Sequence, residues 1–190
     1  MGLERVLDFS KSLLKSTVGE GEIAVDATVG NGHDTVFLAG LTGRNGHVYG
    51  FDIQPEAIEQ TRKRLQKHGL ADRVTLFSKG HEKAGECLPD LAQGRVAGAI
   101  FNLGYLPGSD KVIVTKPETT VSAVSQLIGL LRPGGLIVLV VYHGHEGGEA
   151  ERDRLLDFAG SLDQQLFQVL QYSFINQKNH APFIVAIEKK

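Results

Sequence analysis

The chain has 190 residues, 42% of them hydrophobic and 22% charged, with a formal net charge of −2. That profile fits one compact globular domain over residues 1–190 and excludes a disordered or fibrous chain. The single cysteine, Cys87, excludes an internal disulfide and a cysteine-built zinc site, and no metal site is expected. Met1–Glu22 mixes acidic with apolar residues and has no continuous apolar run, so neither a secretory leader nor a membrane span is expected, and the expected location is cytoplasmic. With so small a net charge, a polyanionic partner would have to be held by local basic residues. The 23 glycines exceed the ~7% of average usage and point to tight turns or close approach to a ligand.

Along the chain, Leu3, Val6, Leu7, Leu13 and Leu14 fall near helical spacing, with Lys11 and Lys15 one turn apart, which predicts an amphipathic helix within residues 1–20. Glu22–Ala27 is a short apolar run ending in a carboxylate. A glycine turn, Thr28-Val29-Gly30-Asn31-Gly32, separates it from a helix over His33–Leu41. The rhythm repeats with strands at His47–Ile53, Arg73–Phe77 and Val96–Phe101, and with helices at Glu56–His68 and His81–Leu91. A polar loop then runs from Asn102 to about Lys116. A helix from Pro117 to Leu131 and an Arg132–Gly135 turn lead to a very apolar strand, Leu136–Tyr142. After a helix at Glu149–Gly160, Leu166–Phe174 and Phe183–Glu188 read as an antiparallel hairpin. Strands and helices alternating at this pace predict a mostly parallel sheet with helices on both faces.

In such a sheet ligands bind outside the carboxyl ends of the strands, where the strand order reverses. The polar residues that follow each strand are therefore expected in one crevice: Asp26 to Asp34, Asp52 to Gln54, His81 and Glu82, Asn102 to Asp110, and Tyr142 to His145. Gly30-x-Gly32 opens a dinucleotide fingerprint, but position 35 is Thr where that fingerprint needs its third glycine. Asp26 suits a ligand with an amino group, as in a sulfonium cofactor with a methionine tail. Asp52, ending the second strand, can accept both hydroxyls of a ribose, and Gln54 can reach the same ribose or the adenine. His81 and Glu82 fit either an adenine edge or a plain helix start.

The strings Val25-Asp26-Ala27-Thr28-Val29-Gly30-Asn31-Gly32-His33-Asp34-Thr35, Gly50-Phe51-Asp52-Ile53-Gln54, Asn102-Leu103-Gly104-Tyr105-Leu106-Pro107-Gly108 and Leu131-Arg132-Pro133-Gly134-Gly135 resemble the class I S-adenosylmethionine-dependent methyltransferases. More narrowly, they resemble the small family labelled putative rRNA methylases, over about Ile23 to Lys189. The resemblance implies a Rossmann-like sandwich with a seven-stranded sheet, and S-adenosylmethionine as cofactor. It implies a cofactor set of Asp26, Gly30, Asn31, Gly32, His33, Asp34, Thr35, Asp52, Gln54, His81, Glu82, Asn102 and Gly104. The implied reaction is methyl transfer to the aminomethyl nitrogen of a tRNA wobble uridine, with the anticodon region as partner.

The Asn102 loop is similar to the Asn-Pro-Pro-Tyr loop of amino methyltransferases, with Leu103 and Gly104 in place of the prolines, an exchange that suits a flexible aliphatic amine at least as well as a planar base amine. Tyr105 can stack on a base. An aliphatic ammonium must lose a proton before it attacks, and His145, Tyr142 and Asp110 are the candidate acceptors, the histidine titrating nearest neutral pH. Asn102, Tyr105, Tyr142 and His145 thus form the expected catalytic set. Lys11, Lys15, Lys111, Lys116 and Lys178 can contact phosphates, whereas Arg62, Lys63, Arg64 and Lys67 read as a solvated helix face. Asn176, Gln177 and Asn179 can reach the target nucleotide or form turns. A chain this short would find RNA with its catalytic domain alone, or as a homodimer, and the residues also admit an rRNA target, a small-molecule amine or carboxylate methyltransferase, or a binding module that has lost catalysis.

Overall fold

Ile23–Asp26 forms strand β1, buried at every residue. Ile23 and Val25 enter one apolar cluster and Ala24 the opposite one, the two-residue alternation of a strand covered on both faces. The computed structural model describes residues 2–104 and 115–190; the expectations placed on Tyr105, Asp110 and Lys111 lie outside the described residues. β2 (His47–Phe51), β3 (Val74–Phe77), β4 (Val96–Leu103) and β5 (Leu131–Val141) run parallel with β1. β6 (Phe167–Tyr172) and β7 (Phe183–Lys189) complete the order β3-β2-β1-β4-β5-β7-β6. Because β7 is antiparallel to both of its neighbours, it alone of the seven is reversed. This is the mostly parallel α/β sandwich with a C-terminal antiparallel hairpin that the alternation predicts.

Helices α1 (Val6–Thr17) and α2 (His33–Thr42) cover one face through Val6, Leu14, Leu38 and Ala39. α4 (Ala84–Cys87), α5 (Pro117–Leu130) and α6 (Gly148–Gly160) cover the other through Ala84, Val124, Leu127 and Leu155. α3 is Pro55–Lys67. Pro55 and Pro117 sit in the first turns of their helices, where a missing N–H costs nothing. Among the described residues no helix is long and apolar enough to cross a membrane.

Three expected boundaries are corrected. The single helix expected over His81–Leu91 is three short pieces, His81–Lys83, α4 and Asp90–Ala92, and Pro89, which lacks a helical donor, closes the second. Asn102 and Leu103, expected in a loop, extend β4 and pair with Val140 and Val141. The expected Arg132–Gly135 turn lies inside β5: Val96 pairs with Leu131 and Gly98 with Leu136, so the four residues between are looped out. Arg132 uses this excursion to bond the Thr17 carbonyl at 2.8 Å and Glu22 at 3.2 Å, tying the end of α1 to the approach of β1.

The carboxyl ends of the parallel strands share one edge, with Asp26 opposite Gly50 and Ile100, and Leu103 opposite Val141. β1 has β2 on one side and β4 on the other, so the chain order reverses there, the position at which such sheets bind ligands. α1 lies close over β4 because position 98 is glycine: a Cβ there would fall 2.5 Å from Val18 Cγ2 and 3.2 Å from Leu14 Cδ2. Gly98→Ala is therefore expected to destabilise the fold by about 1–3 kcal/mol through overpacking, read as a lower urea midpoint with an unchanged slope.

Candidate functional site

The β1–α2 connection builds the floor of the site. Gly30 and Gly32 turn with φ of 51° and 76°, backbone that a side chain strains to adopt, and a Cβ on Gly32 would also strike Thr61 Oγ1 at 2.5 Å. Asp52 fixes the turn from the next strand: one oxygen accepts the Gly30 N–H at 2.8 Å and the other the Gln54 N–H at 2.9 Å. From α3, Thr61 donates to the Gly30 carbonyl at 3.1 Å and Arg64 Nε to the Asn31 carbonyl at 2.8 Å. Arg64 is thus no part of a solvated face, although Arg62, Lys63 and Lys67 are exposed.

Asp26 holds the same turn from beneath. It is fully buried and accepts from Thr35 Oγ1 at 2.6 Å and the Thr28 N–H at 3.2 Å. Burial, with the neighbouring Asp34 charge, raises its pKa from 3.8 to about 7 against the opposing pull of the Thr35 and Thr28 bonds. Asp26, Gly32 and Thr35, all expected against the cofactor, lie behind the wall of the cleft and not in it.

That cleft, of about 820 Å³, is lined from the other expected segments by Gly30, Asn31, His33, Asp34, Asp52, Gln54, His81, Glu82, Asn102, Gly104, Tyr142 and His145. α1 adds Leu7, Ser10 and Lys11, and Lys116 and His180 complete its rim. Lys178, Asn176, Gln177 and Asn179 are exposed and outside it. Thr115 and His180 have no signal in the sequence: each is polar and lies far along the chain from the residues it joins. Asn102 is held twice, its N–H donating to Thr28 Oγ1 at 2.7 Å and its Nδ2 to Asp34 Oδ2 at 2.8 Å. An ionised carboxylate only accepts, so the Asn102 amide is oriented with Oδ1 as the acceptor left for a ligand. A Cβ at Gly104 would meet Tyr142 Cβ at 3.3 Å and His145 Nε2 at 3.6 Å, which places two of the three expected proton acceptors beside the Asn102 segment. The Tyr142 hydroxyl is pushed up by burial and by Asp34, making it the poorer base at neutral pH.

His81 tests whether the site fits an adenosyl group. Its Nδ1 lies 3.1 Å from the Ala27 carbonyl, which only accepts, so the proton is on Nδ1 and Nε2 is the acceptor. Burial lowers its pKa and keeps the ring neutral. Nε2 is buried and has no hydrogen-bond partner among the described residues, in a residue that lines the cleft: an acceptor matched to an exocyclic amine. Together with the Asp52 carboxylate for ribose hydroxyls and the anionic walls for a sulfonium, the residues fit S-adenosylmethionine.

Two outcomes follow for these carboxylates. A pKa raised above its unfolded value means that the native state binds the extra proton, so stability is greatest below about pH 4 for this group and is lost as pH rises through about 7; Asp26→Asn is expected to flatten urea-unfolding stability between those limits. Asp52→Ala is expected to weaken S-adenosylhomocysteine binding by about tenfold or more in calorimetry, and unchanged affinity would remove Asp52 from the cofactor site.

Comparison with known proteins agrees with this geometry. Residues 48–188 match the family described as "Putative rRNA methylase". The crystal structure of a "putative rRNA-methylase" from Clostridium thermocellum is 44% identical, with a TM-score of 0.96 and complete coverage of both chains. A methyltransferase from Streptococcus mutans in complex with SAH is 37% identical, with a TM-score of 0.89 and complete coverage of both chains. The chloroplastic tRNA (mnm5s2U34)-methyltransferase of Arabidopsis thaliana is 36% identical over 197 residues, spanning all of this chain and 71% of that protein. The chain therefore belongs to the Putative rRNA methylase family and is an S-adenosylmethionine-dependent methyltransferase.

Proposed function

We propose that this chain is an RNA methyltransferase that methylates the aminomethyl nitrogen of 5-aminomethyl-2-thiouridine at the tRNA wobble position, giving 5-methylaminomethyl-2-thiouridine. The observation that carries the reading is Asn102: an amide locked by Asp34 and Thr28 offers a fixed carbonyl oxygen in the cleft wall, the group needed to hold an amine N–H in line for transfer. The family description and the name of the Arabidopsis relative support RNA, and its wobble uridine, as the substrate. Lys11 and Lys116 in the cleft wall favour a phosphate-bearing substrate over a small amine, here the anticodon region of tRNA.

When bound, S-adenosylmethionine supplies the electrophilic methyl group, held by the Gly30 loop, Asp52, Gln54 and His81. Asn102 Oδ1 accepts one N–H of the incoming amine and aims its nitrogen. An aliphatic ammonium has no lone pair, so a proton must leave before attack, and His145, beside Gly104, receives it. Positioning supplies most of the acceleration, because neither group forms a covalent intermediate.

The reading is tested by incubating the protein with labelled cofactor and tRNA or rRNA from a strain lacking this gene, followed by mass spectrometry of the nucleosides. Label in 5-methylaminomethyl-2-thiouridine is the expected result; label at another nucleoside moves the target, and no label in either RNA overturns RNA as substrate. Asn102→Ala is expected to lower kcat about 100-fold while cofactor affinity changes by about twofold or less, measured by single-turnover kinetics and calorimetry.

A further inference from the structure

Among the described residues outside the cleft lining, two acids are buried, Asp26 and Glu151, and Glu151 is the one not yet accounted for. Glu151, in the first turn of α6, is 1% exposed. Its Oε1 accepts from Thr120 Oγ1 at 2.6 Å and its Oε2 from Thr115 Oγ1 at 2.7 Å, and among the described ion pairs none includes it. The helix N-terminus favours a negative charge there, yet a buried carboxylate whose side-chain partners among the described residues are two hydroxyls is a costly way to join two threonines.

Its two bonds also fix a direction. A carboxylate cannot donate, so the Thr115 hydroxyl must give it its hydrogen, which leaves Thr115 Oγ1 to accept the Gly104 N–H at 3.0 Å. The Thr115 N–H in turn donates to the Gly104 carbonyl at 3.0 Å. Gly104 and Thr115 both line the cleft, two and thirteen residues beyond Asn102. The same turn of α6 is bonded to the other half of the site: the Gly148 N–H donates to the His145 carbonyl at 3.0 Å, and the Glu151 N–H to that of Gly147 at 3.1 Å.

We propose that Glu151 is a positioning residue for methyl transfer: through Thr115 and Gly104 on one side and the first turn of α6 on the other, it sets the spacing between the amine-holding Asn102 segment and the proton-accepting His145 loop. The proposal rests on the reading of this cleft as an amine-methylating site.

Glu151→Gln keeps the shape and removes the accept-only charge, while Thr115→Val keeps the shape and removes the link. Each is expected to lower kcat on tRNA about tenfold or more with S-adenosylhomocysteine affinity changed by about twofold or less, and the double variant to fall no further than the weaker single one. Thr115→Ser, which restores the hydroxyl, is expected to recover most of the rate. Hydrogen exchange at the Gly104 amide is expected to quicken in both single variants. Unchanged kcat in the folded variants, cofactor affinity that falls in step with kcat, or losses that multiply in the double variant would overturn the proposal. If the wild-type chain methylates no RNA, the functional reading falls, and the exchange measurement still decides the clamp: unaltered Gly104 exchange in both variants overturns it.

Discussion

The backbone that leaves β1 must turn at the edge of a parallel sheet and present its amides to a ligand, and what holds it there is a pair of aspartates reaching it from different directions. Asp52 binds the Gly30 N–H from the end of β2, and Asp26 anchors Thr28 and Thr35 from within the core. Because each carboxylate takes two donors, two strands and the start of α2 are fixed relative to one another before a ligand arrives. Asn102 is attached to the same frame through Thr28 and Asp34, so the glycine turn and the Asn102 wall of the cleft are set by one hydrogen-bonded unit. Such preorganisation leaves little to be arranged at the moment of reaction.

The frame also concentrates charge. Asp34 and Asp52 face the cleft, and Asp26 lies buried beneath them, raised to a pKa of about 7 chiefly by burial. A third full negative charge in this place is disfavoured, so part of the Asp26 population keeps its proton near neutrality. The remaining carboxylates complement the cationic sulfur of S-adenosylmethionine.

Much of this was legible in the chain because a strand that ends in a carboxylate and a glycine turn is a local pattern. Asp52, Gln54, His81, Glu82 and His145 come within a few residues of their strand ends and Asn102 lies at the end of the β4 ladder, so topology alone brings them to one edge. What was not legible depends on partners distant in sequence. Arg64 looked like one more charge on a solvated helix, and only the path of α3 puts it against the Asn31 carbonyl. His180 reaches the cleft wall from the loop between β6 and β7, whereas the sequence pointed to its neighbours Asn176, Gln177, Lys178 and Asn179, which lie outside it. Glu151 has no mark in the sequence beyond its place near a helix start, and only the fold closes Thr115 and Thr120 over it. Asp26 misled in the opposite sense: its place in the motif suggested ligand contact, whereas its burial makes it a brace.

The insertion of β7 between β5 and β6 bears on how the molecule is made. β6 precedes β7 in the chain, yet among the described residues β7 is its only neighbour in the sheet, and its Val169 and Leu170 stay partly exposed even when paired. During synthesis β6 therefore emerges as an apolar strand with nothing to bond to, and stays so until the residues through Lys189 have followed. His180 reaches the cleft only on the same return stroke, so the cleft wall is unfinished until β7 has paired. A nascent chain halted before that stroke would carry a formed glycine turn and an unfinished rim, with the Leu136–Val141 edge of β5 bare.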